Sequence, residues 1–341
     1  MASANHKQLG KAKKDKNDEF YTQLSDIENE LRHYKNHFKN KVVLCNCDDP
    51  RVSNFFRYFA HNFEHLGLKK LITTCYKNQD MDLFTQNNSD RAIWLEYNGD
   101  KNGNKIPDPE EIGIHYLEGD GDFRSKECIE LLKQADIVVT NPPFSLFREY
   151  VKQLLEYKKD FLIIGRMSAL HYSEIFPLLK DNKIWTGYGF NLSMVYKAPY
   201  ENKLEANRKY VKSKGYDPDD NYIKVPAITW FTNLDHSKRH EKLIMYKNYT
   251  PEDYPKYDNY DAIEVESLSD IPMDYDGVMG VPDTILGVFN PEQFELIGMG
   301  SGNLAKEIGV TKNYRGRTDI AYTKNGKHKC PYSRILIRRK K

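Results

Sequence analysis

No apolar run in the sequence approaches the ~18 residues that a membrane-crossing helix requires; residues 161–164 are typical of its short apolar stretches. The opening stretch, MASANHKQLGKAKKDK, has no apolar centre of the kind a secretory signal needs. Five cysteines in 341 residues are too few for a disulfide scaffold, so a reduced, cytoplasmic protein is expected. Cys45 and Cys47 share one face of a strand, but no second Cys or His pair at ligand spacing accompanies them, so no metal is expected. Net charge is nearly absent as well, at +2 from 51 Lys+Arg against 49 Asp+Glu. What is present is a hydrophobic fraction of 39% with 13% aromatics, enough to exclude wholesale disorder. A chain of this length divides into about two domains.

The charge is unevenly placed. Lys7, Lys11, Lys13, Lys14 and Lys16 form a basic arm interrupted only by Asp15. The last thirty residues run from Lys312 to Lys341 with many cations and one acid, Asp319. Basic ends on a near-neutral chain suit a polyanion-facing surface, and they suit plain solubility equally well.

Short apolar runs alternate with helical patterns through the first half. Residues 41–45, 71–75, 114–117, 136–140 and 161–164 read as strands. A helix is expected to open near Pro50 with Asp49 as its cap, and to carry Phe55, Phe56, Phe59 and Phe63 on one stripe. Further helices are expected at residues 125–134, 146–157 and 168–180, the last disturbed at Pro177, and further strands at 183–188 and 227–234. Residues 77–113 read as a hairpin or loops. This rhythm predicts an α/β fold with a mainly parallel, doubly wound sheet. Beyond residue 240 the rhythm stops and Tyr, Pro, Asp and Gly dominate, which predicts a smaller α+β module. The expected organisation is therefore a flexible basic arm over 1–17, a catalytic domain over 18–240 with an inserted excursion at 190–225, and a separate module over 241–341.

The segment richest in chemistry is Asp136-Ile-Val-Val-Thr-Asn-Pro-Pro-Phe144. Neither proline has an N–H, so the turn after the strand is stiff. The Asn141 side-chain oxygen and the Pro142 carbonyl can together accept both hydrogens of one planar –NH2 group, and Phe144 can lie against the ring that bears it. Methylating an exocyclic amine needs this arrangement: oxygens to hold the hydrogens, to accommodate positive charge growing on nitrogen, and to aim its lone pair. A Pro-rich turn with no further role is the plain alternative. In open α/β sheets ligands bind beyond the carboxyl ends of strands, where strand order reverses. If the first and fourth strands are neighbours, Asn46, Cys47, Asp48 and Asp49 face this turn. The helix after them offers N–H groups to a carboxylate, and Asp48 or Asp49 an acceptor for an ammonium or ribose hydroxyls. Asp122 and Phe123 stand ready for an adenine. These are the groups of S-adenosylmethionine.

The motifs Asp18-Glu-Phe-Tyr-Thr-Gln23, Asn46-Cys-Asp-Asp-Pro-Arg-Val-Ser-Asn-Phe-Phe56, Gly119-Asp-Gly-Asp-Phe-Arg124 and Thr140-Asn-Pro-Pro-Phe-Ser-Leu-Phe147 together resemble the EcoRI-type adenine-specific DNA methyltransferases. The resemblance continues through Trp230-Phe-Thr-Asn-Leu-Asp235, Gly277-Val-Met-Gly-Val-Pro282 and Phe289-Asn-Pro-Glu-Gln-Phe-Glu-Leu-Ile297, and is weakest over residues 78–113, 186–225 and 298–328. It implies a Rossmann-like, S-adenosylmethionine-dependent enzyme of gamma-type motif order that methylates N6 of a flipped adenine in double-stranded DNA, with the C-terminal module recognising the target. By motif, Tyr21 and Thr22 belong to the N-terminal cofactor segment. Asn46 to Asp49 replace the usual glycine-rich loop, Asp122 and Phe123 meet the cofactor adenine, and Asn141, Pro142 and Phe144 form the catalytic turn. A monomer with no membrane or metal partner is expected. Two departures stand out: the first loop has no glycine, and the second strand ends at Cys75-Tyr76 without an acid. Methylation of an RNA adenine or a protein glutamine by the same turn, and a DNA-binding relative without catalysis, remain open on the residues alone.

Overall fold

The computed structural model describes residues 22–47, 53–75, 92–104, 107–108, 111–197 and 204–340. The expectations for the basic arm, Tyr21, Asp48, Asp49 and Pro50 lie outside the described residues. The chain forms two compact units, Met1–Ala169 with Gly189–Leu234, and Leu170–Tyr188 with Asp235–Lys341.

The first unit is built on a sheet of β1 (Val42–Cys45), β2 (Lys70–Thr74), β3 (Ile93–Tyr97), β4 (Ile112–Tyr116), β5 (Ile137–Thr140) and β6 (Asp160–Arg166); after the two-residue β7 (Trp185–Thr186) of the second unit, it is completed by β8 (Leu192–Lys197) and β9 (Tyr222–Thr232). The order is β4-β3-β2-β1-β5-β6-β9, with β8 also paired to β9. The centre, β2-β1-β5-β6, is parallel. β1 and β5 are buried at every residue, as continuous apolar runs must be when both faces are covered. From β1 the chain crosses to β2 on one side, and from β5 to β6 on the other. Strand order therefore reverses between β1 and β5.

The helices are α1 (Leu24–Leu31), α2 (Asn54–His61), α3 (Phe63–Leu66), α4 (Lys126–Gln134) and α5 (Phe147–Glu156), followed by α6 (Phe176–Lys180) in the second unit and α7 (Glu205–Ser213) in the first. The aromatic stripe of α2 and α3 is buried as its spacing predicts: Phe55 meets the enclosed Trp230 edge-on at 6.3 Å, and Phe59 meets Phe38 at 5.2 Å. Each such ring contributes roughly 1.5–3 kcal/mol by burial.

Several expectations need correction. Among the described residues the helix after β1 runs from Asn54, capped by the Ser53 hydroxyl, which accepts the Phe56 N–H at 3.4 Å. The strand expected at 114–117 is β4, shifted to Ile112–Tyr116, and it does not pair with β2. Between them lies β3, antiparallel to both, so of the hairpin or loops expected over 77–113 the antiparallel pair β3–β4 is what forms among the described residues. Its Ile93, Leu95 and Tyr97 are buried in strict alternation, the pattern of a strand buried on one face. The helix expected at 168–180 is broken into a 3-10 turn, Met167–His171, and the short α6, with Pro177 at its first turn where a missing N–H does no harm. Among its described residues the excursion at 190–225 carries β8 and α7.

The second unit holds β7, β10 (Ile263–Glu264), β11 (Val278–Pro282), β12 (Phe294–Met299), a hairpin of β13 (Tyr322–Lys324) and β14 (Lys327–Lys329), β15 (Arg334–Arg339), and α8 (Gly302–Glu307). Its main sheet runs β10-β11-β15-β12. The C-terminal β15 is central and antiparallel to both neighbours, and its Ile335, Leu336 and Ile337 are fully enclosed. Among the described residues no helix is long and apolar enough to cross a membrane, and no group of three or more metal-ligating side chains forms.

Candidate active site

Strand order reverses between β1 and β5, which pair in parallel at Val43–Ile137 and Leu44–Val138. The segments that leave their carboxyl ends, Asn46-Cys47 and Asn141-Pro-Pro-Phe144, therefore emerge side by side. Two hydroxyls lock them. Thr140 donates to the Asn46 backbone carbonyl, and Tyr150 of α5 donates to the Asn46 side-chain oxygen. Tyr150 is completely enclosed, and burial pushes its phenol well above the usual tyrosine value, so it stays a proton donor.

Held at Asn46, the chain turns at Cys47 with φ of 81°, a left-handed conformation. Non-glycine residues rarely adopt it, and it clusters at functional sites. The loop that lacks glycine thus bends as a glycine would, with cysteine bearing the strain. Cys47 is half-buried and Cys45 is buried, and neither is in a disulfide.

The Gly119-Asp-Gly-Asp-Phe123 loop after β4 reaches the same place. Gly121 has φ of +80°, and a Cβ there would stand 2.1 Å from the Cys75 carbonyl oxygen, so only glycine lets this loop lie against the end of β2. Phe123 is buried edge-on against Tyr150 at 4.9 Å, and its carbonyl accepts from Gln153 at 3.1 Å. Tyr150 and Gln153, one turn apart on α5, therefore hold both loops. The Asp122 carboxylate is gripped by Arg124, at 2.9 Å from Nε and 2.6 Å from Nη2, and Arg124 also reaches Glu149 at 3.0 Å. Of the two residues expected at an adenine, Phe123 is thus fixed by packing and Asp122 by an ion pair.

In the Asn-Pro-Pro-Phe turn, Asn141 and Pro142 are buried and Phe144 is half-buried. Pro143 gives its carbonyl to the Leu146 N–H at 3.0 Å, closing the 3-10 turn Phe144–Leu146, while the Pro142 carbonyl accepts from no described residue. Phe147 anchors the turn against Phe231 at 4.8 Å. The Arg166 guanidinium, at the end of β6, lies 5.3 Å from the centre of the Phe144 ring. Arg166 pairs across the sheet with Ile228, next to Ala227 at a positive φ of 58°.

Thr22 is buried, and its carbonyl accepts from Asn54 Nδ2 at 2.8 Å, which ties it to the first turn of α2. Its hydroxyl has no hydrogen-bond partner among the described residues. A buried, unsatisfied donor beside the loop from β1 fits a polar ligand such as the carboxylate of an amino acid. The structure thus brings Thr22, Asn46, Cys47, Phe123 and Asn141 to one end of the parallel strands; Tyr21, Asp48 and Asp49 lie outside the described residues. Thr140, Tyr150, Gln153, Gly121 and Arg166 escaped the sequence reading. Their one legible signal was the polar tip of Tyr150 on the otherwise apolar face of α5.

The family described as adenine-specific methyltransferase EcoRI matches this chain over residues 8–340. The Type II methyltransferase M.EcoRI of Escherichia coli is 48% identical over 342 residues, covering 99% of this chain and 98% of its own length. M.MpnI of Mycoplasma pneumoniae is 40% identical over 336 residues, covering 97% and 98%. M.MgeORF184P of Mycoplasma genitalium is 38% identical over 339 residues, with the same coverage. No solved structure matches.

Proposed function

This chain belongs to the EcoRI family of adenine-specific methyltransferases, and on that premise we propose that it moves the methyl group of S-adenosylmethionine to N6 of an adenine in double-stranded DNA. The observation that carries the reading is the Asn141-Pro-Pro-Phe144 turn at the end of β5, locked through Thr140 to the end of β1 where the strand order reverses.

The bound cofactor supplies an electrophilic methyl group on a sulfonium. For its site we assign Thr22 to the amino-acid carboxylate, the Asn46-Cys47 bend to the wall beside it, and Asp122 with Phe123 to the adenine edge and face; Tyr21, Asp48 and Asp49 complete the set by motif. The target amine is held by Asn141 Oδ1 and the Pro142 carbonyl. These oxygens draw its two hydrogens aside and turn the nitrogen lone pair towards the methyl donor. They also accept the positive charge that grows on nitrogen as the bond forms. Phe144 stacks on the base, which must leave the duplex to enter so enclosed a turn. No strong base is required, because the methylated ammonium is acidic and loses its proton to water. We assign target recognition to the second unit, and the same reading has a monomer acting in the cytoplasm.

Asn141→Ala tests it. Methyl transfer should fall by several orders of magnitude while S-adenosylmethionine affinity, read by calorimetry, changes little; near-normal turnover would falsify the assigned role. DNA with 2-aminopurine at the target adenine should brighten on binding, and a silent probe on a good substrate would count against base extrusion.

A further inference from the structure

Residues 322–329 form a hairpin whose construction makes little sense for stability alone. β13 and β14 pair in the register Tyr322–Lys329, Thr323–His328 and Lys324–Lys327. The two-residue turn is Asn325-Gly326, with φ of 53° and 71°, the left-handed pair that a tight hairpin of this hand requires. Lys324 and Lys327 therefore face each other directly across the strands, where like charges repel. Among the described residues neither makes an ion pair, and the same holds for Arg315, Arg317 and Lys329. Asp319, the one acid in this stretch, spends its carboxylate on the Gly302 N–H at 3.0 Å.

The basic residues of the first unit's excursion behave differently. Lys197 is paired with Asp220, Arg208 with Asp219 and Lys209 with Glu205. Three of its cations are thus neutralised by carboxylates, and Lys214 and Lys224 lie over the Tyr210 ring at 5.7 and 4.3 Å. Those around the hairpin are left for something else.

The hairpin is also rigidly mounted and carries flat groups. Tyr322, at its root, is buried with Tyr257, Ile320 and Leu336, and the backbone is tied by Asp258 N–H to the Ala321 carbonyl at 2.7 Å. Beneath it Glu264, almost fully enclosed, pairs with Arg334 at 2.6 Å and accepts from the Tyr257 hydroxyl. On its flank His328 stacks on Tyr314, ring centres 4.9 Å apart and 21° from parallel, and the Arg315 guanidinium lies 5.1 Å from the Tyr314 ring.

Resting on the reading of double-stranded DNA as substrate, we propose that this hairpin is the element that reads the target sequence, entering the major groove with Lys324, Asn325 and Lys327 at its tip. Arg315, Arg317 and Lys329 lie over the phosphates at the groove's rim. The dimensions agree. Three residues of strand project the tip about 10 Å at ~3.3 Å per residue, against a groove roughly 8.5 Å deep, and a two-stranded ribbon fits its width of about 12 Å. The chemistry agrees as well. Lysines match the guanine O6 and N7 acceptors, an asparagine amide matches the adenine N6 and N7 pair, and exposed rings beside them pack on sugars.

The test is to express the full chain, the Asn325→Ala and Lys327→Gln variants, and the rim variant Arg315→Gln in cells without adenine methylation of their own, and to map methylated adenines across the genome. The purified proteins are melted, and their DNA affinity is measured against salt. Wild type should mark one sequence motif. The tip variants should keep wild-type melting and lose discrimination at one or two positions of that motif, by roughly tenfold or more per position. Arg315→Gln should keep the motif but weaken all DNA binding, lowering the salt slope by about one. Tip variants that mark the same motif with the same fidelity would overturn the hairpin assignment. Wild type that methylates no adenine would instead remove the substrate reading on which it rests.

Discussion

Replacing Tyr150 with phenylalanine removes one oxygen and leaves the volume of the core unchanged. That oxygen donates to the side chain of Asn46, which is itself buried, so Asn46 Oδ1 loses its enclosed donor. A buried acceptor deprived in this way costs about 1–3 kcal/mol. A domain of this size loses about 2–4 °C of melting temperature per kcal/mol, which predicts a fall of about 2–12 °C. The bond also orients the bend at Cys47, so part of the cost should appear in binding: S-adenosylmethionine affinity should fall about tenfold, or 1.4 kcal/mol. Turnover at saturating cofactor should fall far less, because Asn141 and Pro142 keep their place. Thr140→Val removes the second hydroxyl that grips Asn46. Groups sharing one partner are coupled, so the double variant should depart from additivity by about 0.5–3 kcal/mol. Calorimetry and thermal melts on the two single variants and the double supply all the terms. Tyr150→Phe with wild-type melting and wild-type cofactor affinity would refute the claim that this hydroxyl holds the cofactor loop, as would strict additivity with Thr140→Val.

Gly121→Ala should misplace Phe123 and Asp122, because the new Cβ would overlap the Cys75 carbonyl and the backbone there is left-handed; a loss of about 1–3 kcal/mol or more in chemical denaturation is expected, together with weakened cofactor binding. Leu336→Ala in the central strand of the second sheet should cost about 2–5 kcal/mol, and a loss under ~1 kcal/mol in the same assay would show that β15 is not the core strand. His236 is buried against the Thr186 carbonyl, and burial pushes its pKa down to about 4. The folded protein therefore resists a proton that the unfolded chain accepts below about pH 6.5, so stability should drain away as pH falls from 6.5 towards 4, by about 3 kcal/mol in all. His236→Gln should flatten that part of the stability-versus-pH curve; an unchanged curve would place the lost stability elsewhere.

Local chemistry was enough to read several elements. β1 and β5 announce themselves as short apolar runs, α2 as an aromatic stripe with a 3.6-residue period, and the Asn141 turn as two prolines after a strand. β3 was read only as part of a hairpin or loops over 77–113, because an alternating strand of five residues inside a polar, Gly- and Asn-rich stretch is marked only by what it packs against. Asp49-Pro50 and Ser53 are both competent helix beginnings, and the Phe56 N–H that Ser53 accepts is seen only in the fold.

The sequence by itself determined the α/β class, the placing of the Asn141 turn at the end of a strand and the likeness to adenine methyltransferases, since each depends on residues adjacent along the chain or repeating within a turn of helix. Only the tertiary structure decided that Thr140 and Tyr150 clasp Asn46 across intervals of 94 and 104 residues, and that Arg124 reaches Glu149 across 25. It alone decided that Cys47 bends as glycine would, and that Lys324 and Lys327 of the C-terminal hairpin make no ion pair among the described residues while Lys197, Arg208 and Lys209 are paired. Hydrogen bonds and ion pairs depend on distances that chain folding sets, and residues far apart in sequence carry no mark of the partner that will satisfy them.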